Sequence, residues 1–317
     1  MLISQIRDQD GTVQVVARDG TEAYVIRNCP STYDLALDCM NRGVTLKDRI
    51  GELGLGIAVD VAGALAEGRV LAPIHHPDPA QMFLSCAYLV APDQAPVSAA
   101  GRNHAEISAP ERTKTPRTTA QPDWFYKGNG NAICAPGMDL VLHAADPDRL
   151  KGPAIAGIYV ISADGTPFRI GFSLASDYSG RQMTTQAYVC LAQGRLRPVA
   201  LGPELLLGDL PHDLHGIARI SRDDVAICEK PIGPHEDHMI HGIVSLEDQH
   251  FRSDILRQPG HLHIHVIAAH DGPFGDNVAP IEGDQTEVTI PEFGLPLRNN
   301  LRLVPDLPDG PVHVRRL

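Results

Sequence analysis

The sequence predicts an α+β protein that is mainly β: mixed sheets in a rolled sandwich, preceded by a small N-terminal α+β unit. Three observations carry that expectation. Gly (29) and Pro (26) are plentiful while aromatics make up 5%, which suits many turns and short strands better than a helical bundle. The stretches "IAGIYVISADGTPFRIGFSL", "DDVAICEKP", "HLHIHVIAA" and "TEVTIPEFG" read as strands bounded by turn signals. Helical patterning with capping signals falls near the start of the chain.

Taken in order, residues 12 to 26 alternate apolar and polar around an Asp-Gly turn and read as a hairpin. Ser31 stands three residues before Asp34, a relative of the Ser-x-x-Glu capping box. Apolar residues at 35, 37, 40 and 44 then support a helix that stops near Gly43 or restarts after it. A second helix is expected over 57 to 67. These elements make an N-terminal α+β domain over 1–72. The stretch 73–121 reads as a linker, with 91 to 120 a long loop or lid. The β-rich domain covers 122–317.

At 317 residues, with 43% hydrophobic and 21% charged, the chain can bury a substantial core. Its net charge of −12, without a basic run, argues against a nucleic-acid partner. The six cysteines stand at least ten residues apart with no CxxC, so a thiolate zinc site is not expected and the thiols read as reduced and buried. "MLISQIRDQDG" has no signal-peptide character, and "LGLGIAVDVAGALA" is short and carries Asp60, so no membrane span is expected. A soluble cytoplasmic protein is the reading.

Several familiar motifs fail on spacing. "YKGNGNA" lacks the Lys-Ser/Thr ending of a phosphate loop, "HEDH" is one residue short of HExxH, and "DYSGR" is not a nucleophile elbow. The histidines are the conspicuous feature: eight of fifteen fall between 235 and 270. In a strand His261, His263 and His265 would share one face. If 235 to 241 is helical, His235, His238 and His241 would lie along one side. Imidazoles suit Zn²⁺ or Fe²⁺, leaving ligand, base and plain polar face as open readings.

Six segments in order resemble the catalytic domain of the fumarylacetoacetate hydrolase superfamily. They are "PDWFYKGNGNAICAPG", "IAGIYVIS", "SDYSGRQ", "LGPELLLGDLP", "QPGHLHIHV" and "IEGDQTEVTIPEFGLPLRNNL". Within it the chain looks like the sugar-acid branch, whose strand near the C-terminus also carries an HxH. The resemblance implies dehydration of a 2-keto-3-deoxy sugar acid such as 2-keto-3-deoxy-L-arabonate. The superfamily also contains hydrolases and decarboxylases of diketo acids and tautomerases. It further implies a homodimer and a divalent cation, Mg²⁺ or Mn²⁺, that chelates the 2-oxo acid and stabilises its enolate.

On that resemblance Lys127, Arg181, His241 and His265 are candidate catalytic groups, Ser179, Arg195 and His263 candidate substrate contacts, and Asp177 the metal ligand. The departures are as informative. The family's Glu-x-Glu register falls on Ala154 and Ala156. Either the cation is lost or recruited differently, or Asp146, Asp148 or Asp164 substitutes; a metal-depleted binding protein that kept the fold is the alternative from another class. Gln182 closes the Asp-x-Ser-x-Arg signature, and Arg195 and Arg197 stand where the family has a lysine. Arginine cannot serve as a base but can fork onto a carboxylate.

Overall fold

The structure, a computed structural model, describes residues 1–89, 123–143, 152–177, 196–232, 242–269, 278, 280–304 and 313–317. The 91 to 120 loop reading, Asp146 and Asp148, and the 235 to 241 histidines lie outside the described residues. Within them the protein is mostly β-sheet with few helices, and no helix is long and apolar enough to cross a membrane.

The N-terminal elements form for the reasons the sequence suggests. Strands β1 (Leu2–Arg7), β2 (Val13–Asp19) and β3 (Glu22–Ile26) pair in succession. The β2–β3 hairpin closes with Asp19 opposite Glu22 around Gly20 at φ 64, a conformation glycine adopts without penalty. Helix α1 (Thr32–Arg42) starts where Ser31 Oγ accepts from the Asp34 N–H at 3.0 Å. It stops at left-handed Gly43 and restarts as α2 (Leu46–Leu53). The helix expected over 57 to 67 is shorter. Residues 55–58 form strand β4 (Leu55–Ala58) against β3, and α3 (Val61–Ala66) begins only after Asp60, whose carboxylate caps the Gly63 N–H. The cap fixes the first turn, and strand pairing claims the residues before it.

A second correction lies inside the expected linker. Met82–Leu89 is strand β5, held between β14 (Leu262–Ala269) and β6 (Asp123–Asn129). Leu84, Cys86 and Ala87 are fully buried there. The large sheet runs β4-β3-β2-β1-β11-β10-β9-β14-β5-β6, where β9 is Gly152–Ile161, β10 is Pro167–Asp177 and β11 is Val199–Leu207. The N-terminal strands therefore continue the sheet that carries the rest of the chain, with Leu2 opposite Leu206.

This sheet curls on itself, as the reach of the chain requires. From β11 to β6 there are five strand spacings, about 24 Å if flat. Yet the chain leaving β6 at Asn129 enters β7 (Ile133–Cys134), which pairs with β11, and four residues span at most about 14 Å. Only a rolled sheet satisfies both. One core lies on the face shared by Ala154, Ala156, Ile158, Leu84, Ile264 and α1. A second lies between the opposite face (Ile155, Phe172, Ile267) and a five-stranded sheet. That sheet has the order β13-β12-β15-β16-β8: Val225–Ile232, Gly216–Arg222, Gln285–Thr289, Leu297–Val304 and Leu140–His143.

A buried ion pair ties the N-terminal strands to the roll. Arg18 Nε and Nη2 donate to Glu204 Oε1 and Oε2 at 2.7 and 2.6 Å, and the Leu295 N–H donates to Oε2 at 2.6 Å. Gly294, at φ 78, admits this packing because a Cβ there would collide with both the guanidinium and the carboxylate. Replacing Glu204 with Ala leaves Arg18 and an amide without their acceptor. We expect a loss of about 3–5 kcal/mol, read as a lower urea midpoint at unchanged slope; a shift below about 1 kcal/mol would show that the fork contributes no more than a surface pair.

Candidate active site

Strand β9 is buried along its whole length, and β10 pairs with it without a break from Gly171 to Asp177. Gly152 lies opposite Asp177, Ala154 opposite Ala175 and Ala156 opposite Ser173. Directly opposed residues share a face, so positions 154 and 156 stand on the same side of the sheet as the Asp177 carboxylate. That side is the interior of the roll. Lys127 reaches it from the far edge. In β6 the register slips between Leu84, opposite Gly128, and Ser85, opposite Tyr126. Lys127 is therefore the extra residue of a bulge, the device by which a strand re-aims one side chain.

Lys127 Nζ donates to Asp177 Oδ1 at 2.6 Å, and neither side chain has any solvent exposure. The two residues sit on strands four spacings apart in the sheet order, about 19 Å if flat, so this contact exists only because the sheet has rolled. A buried pair of this kind is sensitive to loss of either member, since the other would be left as an uncompensated charge.

Among the described residues, those beside Asp177 do not fit a divalent magnesium-type ion. Such an ion takes six or more oxygen ligands. Asp177 offers one carboxylate, already bonded to an ammonium. Its ladder neighbours on that face include Gly152, Ala154, Ala156, Ala175 and Val199, whose side chains have no ligand atoms. Ser173, opposite Ala156, donates its hydroxyl to the Glu204 carbonyl at 2.9 Å. Among the described residues no group of three or more His, Cys, Asp or Glu side chains is arranged to hold a metal. Asp164, one proposed substitute, is a turn residue whose carboxylate accepts from the Ser162 hydroxyl and the Thr166 N–H.

The histidines of β14 lie on the other face. His263 is opposite Tyr159 and His265 opposite Gly157, while Val266 is opposite Ala156. The sheet thus separates His263 and His265 from Lys127 and Asp177. They join His250, from α4 (Ile243–Phe251), in a buried polar cluster. The Trp124 indole N–H donates to His250 Nδ1 at 2.9 Å, and His250 Nε2 lies 3.0 Å from His263 Nδ1. Because the indole can only donate, His250 carries its proton on Nε2 and passes a hydrogen bond to His263. His263 in turn carries its proton on Nε2. Ser85 Oγ lies 2.9 Å from His265 Nδ1 and 3.4 Å from His250 Nδ1. Phe83 stacks on His263 at 5.2 Å. The Nε2 atoms of His263 and His265 are buried without a hydrogen-bond partner among the described residues.

Of the sequence-derived candidates, the structure brings Lys127 and Asp177 together, and His263 and His265 together, as two groups. Ser179, Arg181, Arg195 and His241 lie outside the described residues. Sequence reading missed Ser85, Trp124 and His250. A signal for His250 was present: it follows Ile243 and Leu246 at helical spacing, so it belongs to the buried stripe of α4. Nothing local marks Ser85 or Trp124, which reach the cluster only through strand pairing.

The fold is shared with solved structures of 2-keto-3-deoxy-D-arabinonate dehydratase. No protein-family model matches the chain, and none of the curated proteins is a significant match. Solved structures do match over nearly the whole chain. One is an apo 2-keto-3-deoxy-D-arabinonate dehydratase: 16% identical, 96% of this chain and 99% of that one covered, TM-score 0.72. Another is a 2-keto-3-deoxy-D-arabinonate dehydratase complexed with magnesium and 2,5-dioxopentanoate, again 16% identical with TM-score 0.72, covering 96% of this chain and 100% of that one. A 2-hydroxyhepta-2,4-diene-1,7-dioate isomerase from Mycobacterium marinum is 17% identical, with 96% and 98% covered and TM-score 0.57. At these identities the likeness defines the fold.

The histidine cluster makes stability depend on pH. Burial, and then the nearby imidazole of His265, lowers His250 to about 2. Burial, then His250 and His261, lowers His263 to about 3, and burial, then His263, lowers His265 to about 3. All three stay neutral when folded, whereas in the unfolded chain they protonate below about 6.5. Their stabilising contribution is therefore present above about pH 6.5 and lost as pH falls toward about 3, at about 1.4 kcal/mol per histidine per pH unit. Thermal melts should show Tm falling steeply from pH 7 to 5.5, less so when His250 is replaced by Phe. A flat Tm over that window refutes the assignment.

Proposed function

We propose that this chain is an enzyme of the fumarylacetoacetate hydrolase superfamily: a lyase that removes water from a 2-keto-3-deoxy sugar acid such as 2-keto-3-deoxy-L-arabonate. The observation that carries the reading is the Lys127–Asp177 pair, sealed inside the roll on the face that also bears positions 154 and 156. The likeness to dehydratase structures supports the fold assignment and, with the sequence resemblance, the substrate class.

The chemistry asks little beyond that pair. In a 2-oxo acid the C3 proton is acidic because its loss gives an enolate, and a cationic donor at the keto oxygen stabilises that enolate. Lys127 supplies the positive charge. Asp177, oriented by the ammonium, takes the C3 proton, and the electron pair of the C–H bond moves into the enolate. When the enolate collapses, the C4–O bond breaks and Asp177 returns its proton to the leaving hydroxyl, releasing water. A C3–C4 double bond conjugated to the ketone remains, and the carboxylate is regenerated. His263 and His265, on the other side of the sheet, belong to the supporting structure in this scheme.

A second reading is favoured by one observation, the alanines at 154 and 156: the chain could bind a 2-oxo acid without turning it over. Assay of the purified protein against a panel of 2-keto-3-deoxy aldonates separates the two. The lyase reading expects consumption of at least one panel member with stoichiometric enone or semialdehyde product, and a drop in kcat of about 10²-fold or more for the folded double variant Lys127→Met/Asp177→Asn. Binding of the panel acids with no turnover of any would leave the binding-protein reading standing.

A further inference from the structure

Among the described residues, the face that bears Asp177 gives it no second carboxylate on the β9–β10 ladder, and a protein cation stands beside it. We infer that the Lys127 ammonium takes the electrostatic place of a divalent ion at Asp177, so that this site operates without a divalent metal. The inference deepens the function proposed above and rests on it for what the site receives, but metal binding is measured independently of turnover.

Three observations carry it. First, the β9–β10 ladder is in unbroken register from Gly171 to Asp177, so positions 152, 154 and 156 are unambiguously on the carboxylate's face. They are Gly, Ala and Ala, and residue 175 on the same face is also Ala. A carboxylate at 154 would lie diagonal to Asp177 and within reach of a shared ion, but none is there. Second, Lys127 is aimed into this face by a bulge whose extra residue it is, which is a specific backbone arrangement rather than a side chain folding in from a surface loop. Third, the contact is short, 2.6 Å, with both partners fully buried. In a medium of low effective dielectric, a dication brought onto Asp177 would be repelled by the ammonium already there, while the hard ion would find too few oxygens to replace its water.

The substitution is chemically sensible. A dication in such a site balances carboxylates and draws charge onto the keto oxygen of a 2-oxo acid. Among the described residues, the single positive charge of Lys127 stands against the single carboxylate of Asp177. An ammonium also carries three N–H donors with which to meet carboxylate and carbonyl oxygens.

The test compares Mn²⁺ binding to the full-length wild-type chain and to the double variant Lys127→Met/Asp177→Asn, by titration with paramagnetic detection of free Mn²⁺. Removing both charges together avoids the unfolding expected when one buried partner is left alone, and circular dichroism verifies the fold. Should the double variant nonetheless misfold, the wild-type titration is repeated with Ala154→Glu, which adds one carboxylate beside Asp177. We expect Mn²⁺ affinities of wild type and double variant to agree within about twofold, whether both bind weakly or neither binds, and the Ala154→Glu chain to bind at least as tightly as wild type. A wild-type site of one Mn²⁺ per chain that weakens by about tenfold or more in the double variant overturns the inference. So does tight wild-type binding, with Kd of about 10 µM or below, that Ala154→Glu changes by about tenfold or more in either direction. If the metal results hold and no 2-keto-3-deoxy acid is turned over, the lyase reading fails and the metal-free pair stands.

Discussion

A lysine and an aspartate that lie about 19 Å apart in the flat order of their sheet meet at 2.6 Å, with neither side chain exposed to solvent. That contact can exist only in a rolled sheet, and the roll it spans is the frame on which everything else is hung. The crossing from β6 through Gly130–Ala132 to β7 on β11 closes the same seam with backbone hydrogen bonds. Hydrophobic burial supplies the driving force for closure on both faces. The ion pair adds specificity, because a neighbouring register would leave one charge buried alone.

Such a pair is a poor choice for stability by itself. Taking two ions out of water costs several kcal/mol each, and well-packed apolar residues of the same volume often do as well or better. Elsewhere the chain holds buried acids in several hydrogen bonds. Glu204 receives a forked guanidinium and an amide. Asp284 receives Arg222 and the Ile281 N–H, so that despite its burial its carboxyl is held below the usual range. These tie strands to turns. Lys127 and Asp177 instead sit on the face that carries Ala154 and Ala156, where the chemistry is proposed.

The opposite face solves a different problem. Three imidazoles are packed between β14, α4 and β6, and burial keeps them neutral. As neutral rings they act as polar aromatic packing. Trp124 fixes one tautomer, each ring orients the next, and Phe83 stacks on the end of the chain. The outcome is an ordered core at neutral pH that becomes costly in acid.

The sequence by itself determined the strand-rich class, the 12 to 26 hairpin, the capped helix after Ser31 and its stop at Gly43. All of these follow from interactions within a few residues: alternation, a capping hydroxyl, a glycine free to turn. It also offered Lys127 and Asp177 as candidates, and the structure brings these two together. The sequence misjudged 57 to 67, where strand pairing with β3 overrode a helical pattern, and the linker, where β5 became a central strand because β14 and β6 lie on either side of it. It could not show that HLHIH and Asp177 are on opposite faces, nor that His250, Ser85 and Trp124 belong together. Those relations depend on strand order, on one bulge and on the curl of the sheet, which are set by contacts between residues as much as 180 positions apart and leave no local periodicity to read.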